Sequence, residues 1–167
     1  AQETGAIRIH TGSGDISGSV EIMSGSGDTM SGSASIMSGT SSSTAGDVVV
    51  ASGDGVSQAG GVILAAGSSS DGQGGDVRVT AGKGLSGASV FVTAGEGSSS
   101  AGGDVTLKSG RGETTGAFAA ETADGVNTGT LGLMTGAGTA SSGSVSVASG
   151  DSTQASGSVT IKTGSSA

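Results

Sequence analysis

The sequence predicts an all-β protein: a parallel β-solenoid of about twelve coils, each ~14 residues long, with a thin core and no helix. Three observations predict it. Pairs of aliphatic residues in a V-x-V pattern recur at steps of 13 to 15 residues. Gly stands at a fixed offset on both sides of each pair. The stretch between pairs is too long for a hairpin loop of about 2–5 residues and almost free of bulky side chains.

The pairs open at Ile7, Val20, Ala34, Val48, Val62, Val77, Val90, Val105, Phe118, Leu131, Val145 and Val159. Two residues on come Ile9, Ile22, Ile36, Val50, Leu64, Val79, Val92, Leu107, Ala120, Leu133, Val147 and Ile161. Period two is the signature of a short strand with one buried face. The residue two before each pair is Gly except at Ala88, which sets coil starts near Gly5, Gly18, Gly32, Gly46, Gly60, Gly75, Ala88, Gly103, Gly116, Gly129, Gly143 and Gly157. Five residues after each pair opens comes Gly again, except at Ala123, always preceded by Ser, Thr or Ala. Such Gly supplies positive φ or close backbone approach. Between coils the chain is Ser, Gly, Thr and Ala, with Ile16, Met30, Val56, Leu85 and Val126 as the larger residues. The expectation is one repeat domain over residues 1–167, with V-x-V on one side and the small residues returning along the other.

Composition excludes much. Of 167 residues, 36 are Gly, 33 Ser and 18 Thr, so about half the chain is small and polar. The absence of Cys excludes a disulfide framework and thiolate metal sites. The absence of Pro, with Gly in no three-residue period, excludes collagen. No run approaches the ~18 apolar residues of a membrane span. Val, Ile, Leu and Phe are scarce enough to raise disorder, but a flexible Gly/Ser linker scatters its aliphatics, and these are periodic.

Charge is sorted by position. The positions flanking the second aliphatic, which point outward in the strand reading, hold Arg8, Arg78, Lys108 and Lys162 against Glu21 and Glu121. The rest of the chain holds Lys83 and Arg111 against twelve acids, for a net charge of −8 overall. The same outward positions carry Met23, Met37, Val49, Ile63, Phe91 and Met134. A mildly basic, partly apolar face marks a lateral contact surface, so Met23, Met37, Val49, Ile63, Arg78, Phe91, Lys108 and Met134 are the candidate lateral interface. The plain alternative is an ordinary solvated surface.

No constellation for catalysis, a cofactor or a metal emerges. His10 is the only His, and no G-x-S-x-G elbow accompanies it. The G-x-G patterns recur because Gly recurs, and none is followed by G-K-[ST]. Asp47, Asp76 and Asp104 open strands in G-D-V, which fits turn capping better than a calcium row. An isoelectric point near 4.2 and two aromatics in the chain disfavour nucleic acid. The expectation is a non-enzyme without cofactor, whose partner is itself, with O-glycans on Ser/Thr as the one modification to look for.

Repeats such as Gly46-Asp47-Val48-Val49-Val50-Ala51-Ser52-Gly53 and Gly157-Ser158-Val159-Thr160-Ile161-Lys162-Thr163-Gly164 resemble the Gly/Ser-rich tandem repeats of large secreted algal surface proteins. These are similar to fibre, filament and adhesin β-solenoids. The resemblance covers essentially the whole chain and transfers no functional residue. It implies structural use, outside the cell or at its surface, in a filament or coat. No signal peptide precedes Ala1, so a removed leader is expected under this reading.

The terminal coils are among the most regular and carry no cap, which predicts end-to-end polymerisation through Ile7, Ile9, Val159 and Ile161. The last coil of one copy would be completed by the lead segment Ala1–Gly5 of the next. A piece cut from a longer array predicts the same ends without a junction. Ice binding and adhesion are the alternative functions. Ice binding expects a flat T-x-T row, whereas the outward pairs here include Arg8/His10, Glu21/Met23 and Thr160/Lys162. A pectate-lyase-like β-helix enzyme expects longer coils and a cluster of catalytic side chains, and neither is present.

Overall fold

A computed structural model describes residues 4–99 and 101–165. It overturns the solenoid: among the described residues there is no helix, and there is also no strand and no sheet. The chain divides into two units, Ala1–Val90 and Phe91–Ala167.

Both units are built from one repeat with two parts. The first is a straight segment whose bounding positions always lie seven residues apart, as in Gly18–Gly25, Gly60–Gly67 and Gly103–Gly110. It holds the V-x-V pair and contains no sharp bend. The second is a loop whose ends lie six to eight residues apart, and each loop contains one sharp bend, for example at residues 56–57 and 112–114. The whole variation in repeat length therefore lies in the loops.

In the first unit, three loops close on themselves by backbone hydrogen bonds. Gly60 N donates to Gly53 O at 3.1 Å, Gly75 N to Gly67 O at 2.9 Å, and Ala88 N to Gly82 O at 3.3 Å. In the second unit, Gly103 N donates to Gly95 O at 2.9 Å and Gly116 N to Gly110 O at 3.2 Å. These closures explain why the solenoid reading fails. A second side of a coil needs its seven or so residues stretched over roughly 23 Å at strand rise. Here both ends of the segment meet at hydrogen-bond distance, so it returns to its own start. No second sheet can form, and the straight segments gain no ladder partner. Among the described residues the backbone bonds outside regular structure are these five, all at loop necks.

The neck also explains the small residues on either side of it. A Cβ on Gly60 would lie 3.2 Å from Ser52 Cβ, and one on Gly75 would lie 3.4 Å from Ala66 Cβ. In the second unit, Gly103 faces Ala94 Cβ and Gly143 faces Thr135 Cγ2, both at 3.5 Å. The residue before one Gly thus lies against the Gly that opens the next segment. Thr11, Ala81, Ala94 and Ser109 are the half-buried residues of the described chain, and all occupy this neck position. Every other described residue is exposed.

Among the described residues there is accordingly no buried core, thin or otherwise. The chain exposes 17037 Å². Size scaling gives about 7,100 Å² for a folded chain of this mass and about 22,000 Å² for an unfolded one. Exposure is nonetheless graded along the straight segments. First aliphatics from Val20 to Val159 are 50–63% exposed, and second aliphatics from Ile9 to Val147 are 68–76%. The first aliphatics are thus about half covered and the second about a quarter to a third, so cover falls with distance from the preceding neck.

Candidate functional site

Among the described residues, side chains are organised at the repeat neck and at the bend that follows it. In the first repeat, Thr11 Oγ1 donates to Gly18 O at 3.2 Å. Its single hydrogen being used there, Thr11 Oγ1 accepts from Ser17 Oγ at 2.9 Å. Ser17 Oγ also stands 3.3 Å from the same carbonyl. Further along, Ser52 Oγ donates to Gly60 O at 2.9 Å, so that neck carries a backbone and a side-chain bond side by side.

In the loops whose ends lie seven residues apart, the bend two residues past the neck takes one of two forms. At Gly27 and Gly55 the backbone folds so tightly that a Cβ would overlap the carbonyl oxygen of Met30 and Gln58. Gly138 and Ser141 repeat this in the second unit. Where Ser replaces that Gly, its hydroxyl caps the bend: Ser43 N donates to Ser41 Oγ at 3.1 Å, and Gln154 N to Ser152 Oγ at 3.2 Å. Ser69 does the same from Gly72 N at 3.0 Å in a longer loop. No described Gly has positive φ. Close approach, and not left-handed backbone, is therefore what these positions require.

The expected lateral-interface residues all lie on the surface. In the first unit these are Met23, Met37, Val49, Ile63 and Arg78; in the second, Phe91, Lys108 and Met134. The six apolar ones are 78–89% exposed, more than the V-x-V pairs beside them. Arg78 stands 3.7 Å from Asp76 in an exposed ion pair. The structure does not set these residues apart, because the aliphatics expected inside are exposed too. Of the expected axial residues, Ile7, Ile9 and Ile161 are largely exposed and Val159 is half exposed. The lead and tail contacts expected at Ala1, Gln2 and Glu3 and at Ser166 and Ala167 lie outside the described residues.

His10 Nδ1 donates to the Thr11 carbonyl at 3.1 Å, a local bond of an exposed ring. No group of three or more His, Asp or Glu able to hold a metal occurs among the described residues. No pocket is present there. None of the described helices, of which there are none, offers a membrane span. Sequence reasoning saw the small residue before each Gly but missed its role. The signal was its invariance: only Ser, Thr or Ala stands there in twelve repeats, as close approach to the Gly that opens the next segment requires. No protein-family profile, curated protein or solved structure matches the chain.

Proposed function

We propose that the chain is a structural repeat protein of an extracellular fibre or coat, and that it works by associating with further copies of itself. One observation carries this reading. The aliphatic residues recur in strict register, yet the fold leaves every one of them at least half exposed. A chain that needed only to be a flexible spacer gains nothing from periodic Val and Ile. Large exposed apolar surface marks association sites in soluble proteins.

A second reading, an open Gly/Ser spacer, is favoured by the missing sheet. The closed necks count against it, because a random coil has no reason to close loop after loop at the same position. Sedimentation over a concentration series, with negative-stain imaging of the concentrated sample, tests the two. Filaments or sheets growing with concentration support self-association. A monomer at every concentration supports the spacer.

A further inference from the structure

We propose that the partner of each straight segment is the same segment of another copy, set parallel and in register, so that copies stack through backbone ladders between chains. This rests on the self-association reading and adds its geometry. It differs from the discarded solenoid because every strand partner comes from a different molecule.

The backbone is the first argument. In segments such as Gly46–Gly53 and Gly60–Gly67, the V-x-V residues make no backbone hydrogen bond within the chain. Both edges of each segment are therefore open, and open edges template pairing with another chain. Proteins that avoid this place Pro or clustered charge on the edge, whereas this chain has no Pro and six Lys and Arg in all. Short, β-branched, low-charge segments are the kind that pair between identical chains.

Among the described residues the chain itself supplies no partner. At the necks the side chain of one segment already fills the space over the first Gly of the next, as Ser52 does over Gly60 and Ala94 over Gly103. A second copy has room. The surface exposed beyond that of a globular chain of this mass is on the order of 10,000 Å², against about 1,200–2,000 Å² for a stable interface.

Register follows from the loops. The straight segments are equal in length, so any slip by a whole repeat still pairs backbone with backbone. The loops are unequal: their ends lie 6, 7, 7, 7, 8, 6, 8, 6, 6, 7 and 7 residues apart along the chain. Reversing this order, or slipping it by one repeat, sets unequal loops against each other at more than half the positions. Only an identical copy, parallel and unshifted, lays every loop on a loop of its own length. The same arrangement lays Val on Val and Met on Met. It also lays like charges together, at a repulsive cost that salt reduces.

The two Phe residues, Phe91 and Phe118, make this testable on the full chain. Protein expressed with phenylalanine carbon-13 labelled at the carbonyl is assembled and studied by infrared and solid-state NMR. The expected result is a β-type amide I band with a carbon–carbon distance near 4.8 Å between labels, the strand spacing. Assembly with a β-type band but no label pair closer than about 6 Å overturns the in-register stack, since 4.8 Å is the only strand spacing available; self-association then stands. Assembly without a β-type band overturns the ladder and also leaves self-association standing. A monomer at millimolar concentration overturns both.

Discussion

Alanine at two neighbouring glycines should have opposite effects, and the difference follows from the loop geometry. At Gly55 a Cβ would overlap the Gln58 carbonyl oxygen and lie 2.8 Å from its carbon. At Gly53 a Cβ meets nothing within 4 Å. Neither has positive φ, so the contrast is one of space alone. Gly55→Ala must push the backbone of the loop aside, and the neck bonds depend on that path. Those bonds are Gly60 N to Gly53 O at 3.1 Å and Ser52 Oγ to Gly60 O at 2.9 Å. At about 0.5–1.5 kcal/mol each, their loss costs at most about 1–3 kcal/mol, roughly a five- to 150-fold fall in the closed-to-open ratio of that loop. Gly53→Ala should instead favour closure by about 0.4–1 kcal/mol, because it restricts the open chain without obstructing the closed one. The assay is NMR of the dilute, nitrogen-15-labelled protein, reading the hydrogen-bond coupling and exchange protection of the Gly60 amide. Gly55→Ala should abolish both and Gly53→Ala should keep them. Equal behaviour of the two variants would refute the close-approach account.

Other predictions concern association. Ile63→Ser with Phe91→Ser should raise the concentration needed for assembly at least tenfold while leaving Gly60 and Gly103 amide protection unchanged; normal assembly would make these residues plain surface. Val79→Asp should not disturb the isolated chain, since Val79 is exposed and away from the neck. In a stack it should block assembly, because it places a row of carboxylates at close spacing, whereas Ser99→Asp, at the bend over residues 98–99, should be mild. Raising salt from about 0.01 M to about 0.15 M shortens the screening length from about 30 Å to about 8 Å. With −8 per copy this should promote assembly; if salt dissolves it, attraction between basic segments and acidic loops dominates instead. Asp76→Ala should change nothing measurable, as its pair with Arg78 is long and solvated.

The repeat, its straight segments and its punctuation were legible in the sequence because aliphatic periodicity and Gly placement are local properties. Val48, Val50, Val62 and Leu64 alternate with more exposed neighbours such as Val49 and Ile63, as a period-two pattern requires. Whether the intervening Gly/Ser stretch returns as a strand or closes as a loop was not legible, because both options suit small residues. The choice rests on where single groups such as Gly60 N–H point. Two clues did exist. Length varies only in the small-residue stretch, and the position two past the neck is Gly at Gly27, Gly55 and Gly138 but Ser at Ser41 and Ser152. That exchange makes sense only where a tight bend needs either empty space or a hydroxyl cap. The proposed lateral surface had no such anchor, since reading a face as outward presumes an inside that the isolated chain lacks.

The closed necks also store length. A loop whose ends sit about 3 Å apart at the Gly53–Gly60 hydrogen bond holds enough chain to span roughly 20–27 Å once opened. The five loops closed by backbone hydrogen bonds, whose ends lie 7, 8, 6, 8 and 6 residues apart, would together release about 100 Å at full extension. Each is held by one or two hydrogen bonds in contact with water, which break at low force and re-form when tension is removed. Under load, a fibre of such chains would yield loop by loop before its straight segments part, dissipating work as a sacrificial-bond material does. Single-molecule stretching should then show reversible low-force steps of about 20 Å or slightly more; a smooth entropic curve without steps would show that the necks bear no load.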